Sequence, residues 1–335
     1  MNKHPAFRAV AILLAAPVFA GMGFALSAQT PAPPPVQVSL ADNLYLIGES
    51  FVYVLEAFVL LWIAKFAYTR LYRRVELNAE LFSRDNQAIA VSTVGYYFGI
   101  LIAFGGAISG ETQGLITDVA TIGIYGLSAI VLMLLASVMC EKILLPAFNN
   151  TKEVVQDRNL GVGFVEAGVY IANGLIILGA SAGDAGGASP AASTFGALGS
   201  GMLVLLAFWL LAQVVLVIAG RLYEWVTPYR FLEELERDNA AVGLAFAGAL
   251  IGIGNIIGMA VGGDFNGWTD SLILFAIDVT FGFIMLFLVH KFTDILLAPG
   301  VKLADEQTQE NPNIGAGLLE AFGYIGASIL IVWTF

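Results

Sequence analysis

Among the residues able to carry chemistry, two glutamates share a local pattern inside apolar surroundings. The strings Gly163-Phe-Val-Glu166-Ala-Gly-Val-Tyr170 and Gly317-Leu-Leu-Glu320-Ala-Phe-Gly-Tyr324 each place a carboxyl four residues before a phenol. On a helix that offset puts both groups on one face. Asn173 continues the face of the first site. Glu56 and Asp278 are the other acids inside long apolar stretches. A charge at the bilayer centre costs about 2.5–3.5 kcal/mol on insertion scales, so each of these acids needs a partner or a purpose. Three chemistries fit Glu166 and Glu320. One is a protonated or hydrogen-bonded carboxyl that holds helices together, with tyrosine as its partner. The second is a proton or cation path, which Glu56 and Asp278 could extend. The third is the polar end of a substrate or lipid pocket. Lys65 lies nine residues from Glu56, on the opposite helix face, and is expected to reach for the headgroups. Gln213 and Asn255 read as interhelical hydrogen-bond donors.

Other chemistries lack their residues. The only histidines are His4 and His290, and the single cysteine, Cys140, lies in an apolar run. No metal-ligand cluster, zinc-protease motif, nucleophile elbow or phosphate loop is present. Gly252-Ile-Gly254 sits within a span with no preceding strand, so it reads as packing, not as a nucleotide fingerprint. An enzyme is therefore the least favoured class, and no cofactor is expected. A net charge of −11 argues against nucleic acid as a partner.

The elements that must hold these groups follow from composition. Hydrophobic residues make up 58% of the 335 and charged residues 12%. That balance specifies an integral membrane protein. Residues 1–28 read as a secretory signal: Lys3 and Arg8, an apolar run from Ala9 to Phe19, and Ala25-Leu26-Ser27 as a cleavage site. A Pro-rich spacer follows over 29–43. Eight stretches then suffice to cross about 30 Å of hydrocarbon: 45–68, 88–109, 117–140, 160–182, 196–220, 240–262, 270–290 and 314–335. They lack strand alternation, so an all-α polytopic protein is expected, and no barrel. Four connecting segments hold 12 of the 15 basic residues, and the alternate loops near 110–116, 183–195 and 263–269 hold none. The positive-inside rule puts the basic segments in the cytoplasm. A cleaved signal independently puts the mature N-terminus outside, and eight spans return the C-terminus there too. The basic segments also carry acids, such as Glu233, Glu234 and Glu236, and so read as mixed-charge amphipathic elbows on the membrane surface.

The chain also compares with itself. Four times a basic elbow ends in asparagine followed by small residues and a new span: Asn86-Gln-Ala88-Ile-Ala90, Asn159-Leu-Gly161-Val-Gly163, Asn239-Ala-Ala241-Val-Gly243 and Asn313-Ile-Gly315-Ala-Gly317. Asparagine is a good N-cap, because its side-chain oxygen accepts an orphan N–H at a helix start. The small residues let a neighbouring helix come close, and Gly95/Gly99 and Gly248/Gly252 continue such faces. Four hairpins entering in the same sense are parallel repeats. Two four-helix domains are expected, 44–182 and 196–335, joined by a periplasmic linker at 183–195.

The run Tyr223-Glu-Trp-Val-Thr-Pro228, followed by Glu236-Arg-Asp-Asn239-Ala-Ala-Val-Gly243-Leu-Ala-Phe-Ala-Gly248, resembles the YjfL-like family of bacterial inner-membrane proteins, domain of unknown function 350. The second domain matches more fully. The first keeps Arg84-Asp-Asn86 but lacks the Thr-Pro of the elbow. The resemblance implies two fused four-helix copies in the inner membrane and a link to envelope homeostasis. Two functions are then in view. One is a scaffold or sensor module showing its elbows to cytoplasmic proteins, its small-residue faces also suiting a homo-oligomer. The other is a proton- or cation-coupled channel or transporter using Glu166 and Glu320.

Overall fold

The computed structural model describes residues 40–71, 76–109, 112–146, 149–182 and 194–334. The expected signal and most of the spacer lie outside these residues, as does nearly all of the linker. Among the described residues there are eight helices long and apolar enough to cross a membrane and no strand. They are α1 (Leu40–Leu71), α2 (Gln87–Ile108), α3 (Leu115–Met139), α4 (Leu160–Ala182), α5 (Thr194–Val226), α6 (Ala240–Val261), α7 (Trp268–Leu297) and α8 (Ile314–Thr334). Helix is the only local solution for a single apolar span, because it satisfies every backbone polar group internally. The odd helices run past their expected ends at 68, 220 and 290. There Arg70, Arg221, Tyr223 and Lys291 continue the helix beyond the apolar stretch. α3 is extended by a π turn, Cys140–Leu144. The elbows fold as short pieces: π turns at Ala79–Ser83 and Glu153–Asp157, and single-turn helices at Phe231–Glu236 and Leu303–Gln307.

The even helices α2, α4, α6 and α8 stand side by side in chain order, all pointing the same way, and their three contacts are the most extensive in the molecule. The odd helices lie outside them. α1 rests on α2 and α3, α3 on α2 and α4, α5 on α4 and α6, and α7 on α6 and α8. A hydrophobic driving force between helices is missing in lipid, so close packing of small residues must hold such a row. Its register repeats. A Cβ on Gly163 would lie 2.6 Å from the Ala88 carbonyl oxygen, one on Gly243 2.3 Å from that of Gly161, and one on Gly317 2.4 Å from that of Ala241. In each case the glycine stands four residues after its cap asparagine and its partner two residues after the preceding one. Nine residues after each of the first three asparagines the roles reverse: Gly95, Gly168 and Gly248 meet Cα and Cβ of Ala167, Ala247 and Ala321 on the next even helix.

α4 and α6 are buried on every side. A flat row would leave one face of each bare. A second apolar cluster supplies the cover. It gathers Val91 from α2, Phe164 and Ile171 from α4, Leu244 and Ile251 from α6, and Ile325 from α8. The row therefore bends around this cluster, with its outer edge lined by the odd helices. α1 and α7 are mostly exposed, as lipid-facing helices are. The contact between α4 and α6 crosses from the first four helices to the second, so both halves share one core.

Candidate functional site

The four asparagines do more than cap. Asn86 Oδ1 accepts from Ala88 and Ile89 N–H, Asn159 Oδ1 from Val162, Asn239 Oδ1 from Ala241 and Val242, and Asn313 Oδ1 from Gly315 and Ala316. Each Nδ2 also donates to a glutamate of its own elbow: Asn86 to Glu80 at 3.2 Å, Asn159 to Glu153 at 3.1 Å, Asn239 to Glu234 at 2.8 Å and Asn313 to Glu306 at 3.2 Å. The first three reach onward to the next elbow. Asn86 Nδ2 donates to the Val154 carbonyl at 3.0 Å, Asn159 to Leu235 at 2.7 Å and Asn239 to Gln307 at 2.9 Å. Each accepting carbonyl belongs to the residue just after that elbow's glutamate. Asn86, Asn159 and Asn239 are buried, whereas Asn313, with no elbow beyond it, is exposed.

The residue before each of the first three asparagines is left-handed: Asp85 (φ 49°), Arg158 (55°) and Asp238 (58°). Pro312 fills that place in the fourth elbow, which is also the longest from glutamate to asparagine. Proline cannot take a positive φ. Burial acts to raise the Glu80 pKa, but hydrogen bonds from Arg84 and Asn86 outweigh it and hold this carboxyl below its ordinary value. Burial likewise raises Asp238, against N–H groups of Leu160 and Gly161, with the Leu160 bond at 2.7 Å.

The two glutamates expected to match differ in setting. Glu166 is 4% exposed. Its Oε2 accepts from Ser92 Oγ on α2 at 2.5 Å, and Ser92 shares a further bond of 3.2 Å with the Tyr68 hydroxyl of α1. Tyr170 shares a 3.0 Å bond with Ser137 on α3. The rings of Tyr68, Tyr96 and Tyr170 pack together, with centroids 4.5–6.2 Å apart. The first site is thus a closed polar knot inside an aromatic cage.

Glu320 opens onto a cavity of about 600 Å³ between α5, α7, α8 and the fourth elbow. Its Oε1 accepts from the Tyr223 hydroxyl at 3.1 Å, and its Oε2 accepts from Gln307 Nε2 at 2.5 Å. Tyr229 donates to Gln307 Oε1 at 3.3 Å. Burial, then the charge of Glu320, push the Tyr229 phenol up. Tyr324 stacks on His290 at 3.9 Å. The back wall is polar: Tyr223 and His290 are buried, and Glu320 and Tyr324 are partly buried. The rim is apolar and exposed, with Leu222 and Val226 on α5 and Phe287 on α7. Lys291, Lys302 and Asp305 line the same space.

Glu56 and Asp278 belong to neither site. Glu56 faces α3 at Gly123, and its Oε2 is buried without a hydrogen-bond partner. Asp278 lines a separate cavity of about 120 Å³ at the end of the bundle opposite the elbows, with Asp264, Ser181 and Ser271. Asn173 takes a 2.8 Å bond from Gln213, and Asn255 donates to Ser328 at 3.2 Å, so both pairs cross between helices. Lys65 is exposed. Among the described residues no three His, Cys, Asp or Glu side chains come together as metal ligands.

Sequence reasoning missed Ser92, Ser137, Gln307 and the elbow glutamates. The glutamates left a signal, at least one acid five to seven residues before every cap asparagine. Gln307 left none, because its role depends on how the fourth elbow folds back over α8.

Eight apolar helices with capped elbows and a shared small-residue core define a multi-pass membrane protein. The chain belongs to the family described as Domain of Unknown Function (DUF350), whose model matches twice in tandem, over residues 39–181 and 197–335. It is similar to the UPF0719 transmembrane protein YshE of Bacillus subtilis (strain 168), 29% identical over 125 residues. That match covers 37% of this chain and 87% of the relative, whose length is therefore close to one of the two copies. No solved structure matches the chain.

Proposed function

We propose that this protein is a membrane-embedded sensor module. It takes an amphiphile from the bilayer into the Glu320 cavity and reports occupancy through its elbows. One observation carries the reading. Glu320, at the back of a cavity with a lipid-facing rim, is bonded to Gln307, and the Gln307 carbonyl receives the Asn239 bond that ties the third elbow to the fourth. A ligand that competes for Glu320 loosens Gln307 and with it the tie between elbows. The cavity also has the size and the mixed lining of small-molecule sites, which run to about 300–1,000 Å³.

In this reading the chain lies in a bacterial inner membrane with both mature termini periplasmic. Its elbows face the cytoplasm, where protein partners read them. It works by binding, without covalent catalysis, and its lipid-facing helices also suit a homo-oligomer. The distribution of basic residues supports the orientation.

Hydrogen exchange on the full chain in nanodiscs tests it. Adding a bacterial polar lipid extract to delipidated protein is expected to change exchange across residues 298–313, and Glu320→Ala is expected to abolish that change while Glu166→Gln keeps it. An elbow whose exchange ignores lipid overturns the sensor reading. Proton or cation flux in proteoliposomes that disappears in both Glu166→Gln and Glu320→Gln would favour conduction instead.

A further inference from the structure

We infer that the Glu320 cavity is a site for the headgroup of a zwitterionic aminophospholipid, a phosphoethanolamine group whose acyl chains leave between α5 and α7. The inference rests on the sensor reading and names its ligand. The charges of the lining carry it. Two cations, Lys291 and Lys302, share the cavity with two carboxylates, Asp305 and Glu320. A lone anion would meet unfavourable carboxylates, and a lone cation would meet the lysines. A molecule bearing both charges, a phosphate joined to an ammonium by a short linker, matches both signs of the lining.

The lysines act as point charges for the phosphate, as basic pockets between membrane helices do. The ammonium is served by Glu320 and by the rings of Tyr223 and Tyr324, whose centroids lie 5.9 Å apart. A primary ammonium offers three N–H donors to a carboxylate, whereas a quaternary choline offers none. That difference predicts ethanolamine over choline. Glycerol headgroups bring no cation at all.

The rim shows where the lipid tails go. Leu222, Val226 and Phe287 are exposed to between 49% and 64%, beside a back wall in which Tyr223 and His290 are buried and Glu320 and Tyr324 partly so. The first four helices offer no such entrance to Glu166: α1 packs directly on α3, while α5 and α7 are not in extensive contact.

The test uses the full chain in detergent, titrated with short-chain phosphatidylethanolamine, phosphatidylcholine and phosphatidylglycerol, and with soluble phosphoethanolamine. The readout is the thermal midpoint. Phosphatidylethanolamine is expected to raise it at the lowest concentration, and soluble phosphoethanolamine only at far higher ones. A Lys291→Ala/Lys302→Ala variant is expected to weaken phosphatidylethanolamine by about tenfold or more. Glu320→Gln is expected to bring phosphatidylethanolamine and phosphatidylglycerol within about twofold of each other. Asp305→Asn, on the exposed elbow, tests the same selectivity in a variant that leaves the core intact. Equal binding of the three lipids overturns the headgroup assignment, as does a lysine variant that binds like the wild type; both leave the sensor reading standing. A midpoint that none of the lipids moves removes the site and the sensor reading together.

Discussion

At the scale of the residue, the asparagine that ends each elbow does three jobs at once. Its oxygen caps a helix, and its amide nitrogen holds its own glutamate and, in three of four cases, the carbonyl of the next elbow. Asn159 and Asn313 therefore differ in what alanine removes. Asn313→Ala loses an exposed cap, worth about 0.5–2 kcal/mol. Asn159→Ala loses the cap and also one of the two donors to the buried Leu235 carbonyl, which keeps the Asp238 N–H, and the lost bond adds about 0.5–1.5 kcal/mol. Unfolding in detergent should therefore rank Asn159→Ala clearly below Asn313→Ala. Equal losses would mean that the bond across elbows contributes nothing. Capping was legible from Asn followed by small residues, because it is a local interaction. The onward bond was not, because it joins residues 68 to 76 positions apart. The matched Glu–Tyr strings of α4 and α8 were equally legible, yet their contrasting environments were not. Those depend on Ser92 and Tyr68 in one case and on Gln307 in the other, partners that no local pattern ties to either glutamate.

At the scale of the element, the even helices come so close that backbone meets backbone. A Cβ on Gly168 would lie 2.7 Å from Ala247 Cα, an atom that cannot swing aside. Gly168→Val is expected to cost about 1–3 kcal/mol or more and to push α4 from α6. Gly199 on α5 has open space around it, so Gly199→Ala should be neutral or stabilise by up to about 1 kcal/mol, since glycine is a poor helix former. Thermal unfolding of the two variants separates close packing from mere glycine content, and similar effects would refute the packing argument. The spans themselves were readable from apolar length, and residues 160–182 match α4 at both ends. The odd helices were read too short because their last turns carry arginine, lysine and tyrosine. Those side chains belong to the interface, and an apolar window stops before them while the backbone does not.

At the scale of the whole molecule, the row of even helices has two free edges, and neither continues the register. Phe322 stands nine residues after Asn313, where the other even helices have Gly95, Gly168 and Gly248. Ala90 and Val94 on α2 stand where α4, α6 and α8 have a glycine and an alanine. The bulk at both edges blocks a second copy from extending the row head to tail. A triple variant, Phe322→Gly with Ala90→Gly and Val94→Ala, is expected to form larger, concentration-dependent species in detergent, seen by light scattering after size exclusion. An unchanged mass would show that something other than side-chain bulk ends the row. Two tandem family copies within one polypeptide carry a consequence of their own. Identical protomers of a homodimer must diverge in step, since one gene writes both. Fused halves are free of that constraint, so one can keep its carboxylate sealed as ballast for the fold while the other trades tightness for access. Under the sensor reading each molecule then presents a single doorway, and its saturation curve should be a plain hyperbola.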